Sequence, residues 1–286
     1  MTAARRSRRG YHVSAAVPAH ALVDEGFRSL GTHSALVGFD FPIGVPRAYA
    51  ERAGITRFLD ALPEFGGAAW PRFYEPCEFV QNVSPRRPFF PARAIRATKA
   101  EFAGTLGVAP ADLLRECERA TGSRSRACEL FWTMGANQAG KAAITGWRDV
   151  LQPALARSEI RLWPFEGTLA DLCADDRIVA AEVYPAEIYA HLALERNFGK
   201  RTQAGRASQA DRILSWCSQQ KVHLDPAAIA DVHDGFGESA AGEDRFDSLI
   251  GVLGMIEAVQ APHREAWPQH IQEIEGWILG MRFTGR

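Results

Sequence analysis

The sequence predicts an α/β fold. Three observations carry that prediction: short apolar runs that stop at a proline or glycine, helical periodicity in most of the remainder, and 286 residues at 47% apolar content, enough to bury a sizeable core. SALVGFD, residues 34–40, is an apolar run closing on one acid, and FPIGVP stops it at once. DRIVAAEVYP repeats the pattern, with Ile178 to Ala181 running into Glu182 and Pro185 ending the element. IRLWPFEG (160–167) and YHVSAAV (11–17) are the third and fourth strand candidates. PADLLRECERA, TLADLCADD, QADRILSWCSQQK and DRFDSLIGVLGMIEAVQ place apolar residues three and four apart, the spacing of helices. The last is apolar nearly all round, as a helix buried against a sheet should be. From Arg47 to about Glu129 the chain is rich in Pro, Arg and aromatics, including WPRFYEP and RRPFFP. One domain over 1–286 is therefore expected, with an irregular and helical insertion at about 47–150.

Composition narrows the function classes. No apolar run approaches the roughly 18–20 residues of a spanning helix, and the basic start MTAARRSRRGYHV has no apolar stretch after it, so a cytoplasmic protein without a membrane partner is expected. The five cysteines are scattered and form no CxxC pair, which fits reduced thiols better than disulfides or a thiolate zinc site. A formal net charge of −1 argues against coating nucleic acid by bulk electrostatics. Local charge is less even. ARRSRR near the start, Arg86 to Arg96, Arg115 to Arg126 and Lys200 to Arg212 are basic, and they form either one anion-binding surface or four separate solvated faces.

Gly135, four residues, then Gly140 and Lys141 reproduce the skeleton of a phosphate-binding P-loop. Ala142 stands where such a loop needs a Ser or Thr hydroxyl for magnesium, and the preceding CELFWTM has helix-like rather than strand-like spacing. The segment thus reads as a Gly-rich turn with Asn137, Gln138 and Lys141 leading into the helix AAITGWRDVL. Such a turn can still offer backbone N–H groups and one ammonium to a phosphate.

Asp40 and Glu182 each close a strand-like run just before a proline-containing stop. Strand C-termini of a parallel sheet share one edge, so the two acids are expected to face each other, although each alone also fits a turn former or a helix cap. GEDRFDSLIG places Asp244 and Asp247 three residues apart near the start of the most apolar helix, with Glu243 as the more solvated neighbour. Four such oxygen donors suit Mg²⁺ or Mn²⁺, which can support phosphodiester hydrolysis. The eight histidines form no HExxH and no close sequence pair with these carboxylates, and no GxSxG is present.

With these motifs in order, the chain from about Ala35 to Gly280 resembles the domain of unknown function 429 family, described as predicted nucleases of the ribonuclease H-like fold. The resemblance rests on LVGFDFPIGVP, RPFFP with Arg87, FWTMGANQAGKAAI, LWPFEG, EVYPAEIY, GKR at Gly199 to Arg201, EDRFDSLIG and EGWILG. It implies a mixed sheet flanked by helices, with Asp40, Glu182, Asp244 and Asp247 as metal-binding catalytic carboxylates. Arg87, Asn137, Gln138, Lys141, Lys200, Arg201 and Arg206 become the expected substrate contacts. In such families the first strand carries an Asp, and none precedes Asp24, which lies in the helix-like HALVDEGF, so that strand is expected to be missing. The resulting expectation is a divalent-metal-dependent nuclease acting on RNA or DNA. Its alternatives are an inactive nucleic-acid-binding member and a nucleotide-binding phosphoryl-transfer protein using GANQAGK.

Overall fold

The computed structural model describes residues 1–17, 26–30, 34–93, 97–122, 124–134, 139–174, 177–261 and 265–283. Asp24, Asn137 and Gln138 lie outside these residues. Six strands form among those described: β1 (Ala4–Ser7), β2 (Gly10–Val13), β3 (Ala35–Phe39), β4 (Ile160–Leu162), β5 (Ile178–Glu182) and β6 (Val222–Leu224). The fold is α/β, as expected, but the strands form two three-stranded sheets, ordered β1-β2-β6 and β3-β5-β4. The chain divides into two compact units, Met1–His20 with Val183–His263, and Ala21–Glu182 with Arg264–Arg286.

In the first unit, β1 and β2 make an antiparallel hairpin and β6 joins β2 in parallel. The start of the chain therefore forms a strand pair, where only one strand over 11–17 is expected. Helix α1 (Ala210–Gln219) packs by β6 and helix α2 (Ala240–Gln260) runs through the core, burying Phe246, Leu249, Ile250 and Leu253 with Ile188, Ile213 and Val232. Burial of that many aliphatic side chains is the main stabilising term for a unit of this size.

In the second unit the β3-β5-β4 sheet is parallel, and β5 is central and buried at every residue, as an apolar strand without alternation should be. The 47–150 segment is no appendage. Tyr49, Phe58, Phe65, Phe73, Phe89, Phe131 and Trp147 are among the buried residues of this unit's core, with the Phe65 and Phe73 rings stacked 3.8 Å apart. The helix expected over PADLLRECERA is replaced by two 3-10 turns, Pro110–Leu113 and Glu116–Glu118. Arg115, in extended backbone between them, turns into the interior while Glu116 stays half-buried, an alternation that a continuous helix would not give. CELFWTM is likewise not helical, and Phe90 pairs with Trp132 by a β-bridge. The helix expected over AAITGWRDVL starts three residues earlier, at Ala139, and widens to a π turn over Gly146–Leu151, just before Pro153, whose ring removes one hydrogen bond and crowds the preceding turn.

Two glycines bring the ends of this unit together. Gly44 has φ 124° and Gly276 has φ 66°, and a Cβ on either would lie 2.1 Å from the Glu275 carbonyl oxygen or 2.2 Å from that of Ile43. Only glycine permits both the backbone angle and the contact. The FPIGVP and EGWILG segments thereby pack backbone against backbone, with Val45 N donating to Ile274 O at 3.1 Å. Leu279 N then donates to Glu182 O at 2.9 Å, which anchors the chain after Gly276 to the end of β5.

Candidate metal centre

The four carboxylates expected to share a metal are divided between the units, Asp40 and Glu182 in the second, Asp244 and Asp247 in the first. Asp40 follows the end of β3 as expected and is exposed. Glu182 is 5% exposed and is a buried counter-ion. Its Oε1 accepts from Arg115 Nη2 at 2.6 Å, and its Oε2 accepts from Arg115 Nη1 at 2.8 Å and from Ile43 N at 2.7 Å. A carboxylate chelated in this way has its charge neutralised by a guanidinium and is a poor ligand for a further cation.

On α2 the acids face differently from expectation. Asp244 is exposed, whereas Glu243 and Asp247, four apart, meet Lys200: its Nζ lies 3.3 Å from Glu243 Oε1 and 2.5 Å from Asp247 Oδ2. Tyr189 Oη donates to Asp247 Oδ1 at 3.4 Å. Burial raises the Asp247 carboxyl above its ordinary pKa, and the Lys200 ammonium opposes that shift. Within this unit Lys200 supplies the cation that faces Glu243 and Asp247.

Three of the seven expected substrate contacts, Lys200, Arg206 and Arg87, are committed to partners within the chain. Arg206, 1% exposed, donates to the carbonyls of Gly235 (2.8 Å), Lys200 (2.7 Å) and Gly237 (2.6 Å). Arg87 donates to the Glu75 and Pro76 carbonyls at 2.9 and 3.1 Å. Both arginines hold turns together; in a sequence such residues look the same as solvated phosphate binders. Lys141 and Arg201 are exposed.

A different group comes together in the second unit. Glu116, His270 and Glu275 each place one ligand atom within 4.8 Å of the others and can hold a metal ion. That limit is wider than the roughly 3–4.2 Å between ligands around an ion with bonds of about 2.1 Å, so binding would draw the side chains slightly together. His270 Nε2 lies 3.1 Å from Glu116 Oε2, while Glu275 accepts from Glu116 N through Oε2 (2.6 Å) and from Arg47 N through Oε1 (2.9 Å). No Lys or Arg side chain forms an ion pair with Glu116 or Glu275 among the described residues.

Local backbone makes this convergence. Residues five apart on an α-helix point about 140° apart. The turn after His270, Ile271–Glu275, is instead a π turn, whose hydrogen bonds run i→i+5, so His270 and Glu275 come onto one side. Beneath them Arg115 Nη1 donates to Ile43 O (3.1 Å), Glu275 O (3.0 Å) and Glu182, and Arg115 Nε to Glu118 at 2.9 Å. One buried guanidinium serves two carboxylates here, and burial pushes the Glu118 carboxyl up to about 7 against the pull of Arg115.

The three metal-competent residues line a cleft of about 590 Å³, together with Arg47, Arg119 and Arg282 and with Trp277, Met281 and Phe283. Sequence reasoning passed over this site for identifiable reasons. Glu116 sat in an apparent helix, Glu275 in EGWILG without a role, and His270 apart from any carboxylate in a recognisable spacing. No protein-family model matches the sequence, and no curated protein or solved structure matches the chain.

Proposed function

We propose that this protein is a divalent-metal-dependent hydrolase of phosphate esters, with Glu116, His270 and Glu275 as the metal ligands. The carrying observation is their convergence in a cleft, with no Lys or Arg side chain ion-paired to either carboxylate among the described residues. Two carboxylates and one imidazole suit Mn²⁺ better than Mg²⁺, which favours an all-oxygen shell. A bound ion would polarise the phosphoryl group and acidify water. Glu275, held by two backbone N–H groups, is the fixed anchor of the set, and Arg119 and Arg282 neutralise and orient the phosphate. In the net reaction a water oxygen bonds to phosphorus, the ester P–O bond breaks, and the proton lost by water ends on the leaving alcohol.

The finer expectations belong to the same proposal. The parallel β3-β5-β4 sheet with Asp40 at the end of β3 supports a ribonuclease H-like fold, and the resemblance to the predicted nucleases supports nucleic acid or its pieces as the source of the ester. Calorimetric titration with Mn²⁺, followed by hydrolysis of bis(p-nitrophenyl) phosphate, tests the reading. His270→Gln is expected to weaken Mn²⁺ binding by at least about tenfold and to remove activity while the melting temperature without metal stays unchanged. Mn²⁺ binding that is equal in wild type and His270→Gln would overturn it.

A further inference from the structure

Resting on that metal centre, we infer that the cleft is a site for a single nucleotide, taken up only after the metal, and not a track for a nucleic-acid strand. Charge gives the order. Arg47, Arg119 and Arg282 face four carboxylates among the cleft's lining residues, so the formal charges of its Arg, Asp and Glu side chains leave one excess negative charge. A divalent ion reverses that sign to one excess positive charge, and only then does the cleft attract a phosphate.

The chain after Gly276 supplies the remaining chemistry. Trp277 Nε1 donates to Met281 O at 2.8 Å and Met281 N to Ile278 O at 3.1 Å, so the segment that carries Arg282 and Phe283 is tied down. Arg282 is exposed. Phe283 is half-buried, its ring edge-on to Trp267 and Trp277 at 5.8 and 5.6 Å. Adjacent residues thus bring a guanidinium and an aromatic ring to one cleft, the pairing that a phosphate joined to a flat base requires. A volume of about 590 Å³ is far more than a phosphate needs and falls in the range of pockets for small molecules.

A strand-binding surface needs several free cations, because each phosphate contact adds its own counter-ion release. Of the basic residues that the sequence offered for this, Arg87 and Arg206 are held by carbonyls and Lys200 by two carboxylates, while the exposed Lys141 and Arg201 are not among the residues that line the cleft. What remains beside the metal ligands matches one nucleotide.

Titration calorimetry on the full chain separates the outcomes, using AMP, ribose 5-phosphate and a 5′-phosphorylated single-stranded oligonucleotide, each with and without Mn²⁺. AMP is expected to bind only with Mn²⁺ present. Phe283→Leu should weaken AMP roughly tenfold and leave ribose 5-phosphate unchanged, whereas Arg282→Ala should weaken both. Equal affinity for AMP and ribose 5-phosphate, AMP binding without metal, or tighter and steeply salt-dependent binding of the oligonucleotide each overturns the inference. If Mn²⁺ binds but AMP does not, the nucleotide site falls and the metal centre stands. If Mn²⁺ itself fails to bind, both fall.

Discussion

Two carboxylate clusters lie side by side in the second unit and share Arg115 as a support, yet they differ in what balances their charge. Glu118 and Glu182 are satisfied by the guanidinium itself, with bonds of 2.6–2.9 Å, and are almost wholly buried. Glu116 and Glu275 face His270 and the cleft, and Arg115 reaches only the backbone oxygen of Glu275. The first cluster is closed, with its cation built into the chain; the second is open to a cation from outside. In the first unit, Lys200 closes the Glu243–Asp247 pair in the same manner. Acidic residues that converge are therefore common to structure and function, and the presence of a built-in cation separates the two.

The largest expected effect breaks the closed cluster. Arg115→Met leaves two buried carboxylates without their counter-charge and should cost about 3–5 kcal/mol, read as a loss of folded protein or a large fall in urea midpoint. A midpoint near wild type would show that the guanidinium does not hold the floor of the cleft.

Next in size is a pH effect from the same cluster. The Glu118 pKa rises from 4.5 to about 7 in the folded chain. A raised acid binds its proton more tightly when folded, so its contribution is fully present below pH 4.5 and is lost as pH rises through about 7. The change is about 3 kcal/mol, and Glu118→Gln should flatten it in melts recorded across that range. An unchanged pH slope in Glu118→Gln would assign the titration elsewhere.

Lys200→Met opens the pair in the first unit. Asp247 is only 15% exposed at its side chain, and losing its ammonium should cost about 1–2 kcal/mol while leaving Mn²⁺ affinity at the Glu116–His270–Glu275 site unchanged. Creation of a new Mn²⁺ site in this variant would show that the acids of α2 were ligands masked by a lysine. The smallest effect is expected for Asp244→Asn, an exposed change that should stay within about 0.5 kcal/mol and leave phosphoesterase activity intact. Loss of activity there would return the catalytic role to the acids that the sequence singled out.

The α/β class, the strands at β3 and β5, the helix carrying Asp244 and Asp247, and the closing of both strands on acids were legible in the sequence. Continuous apolar runs, helical spacing and proline stops are local signals, governed by residues a few positions apart. The partners of the acids were not legible. Arg115 reaches Glu182 across 67 positions, and Glu116 N reaches Glu275 across 159. An extended break between two 3-10 turns sends Arg115 inward and leaves Glu116 facing the cleft, and a single π turn brings His270 and Glu275 into register. Which carboxylates receive a cation from the chain and which do not depends on these long-range approaches. Spacing along the polypeptide carries no record of them, and only the packed backbone at Gly44 and Gly276 decides it.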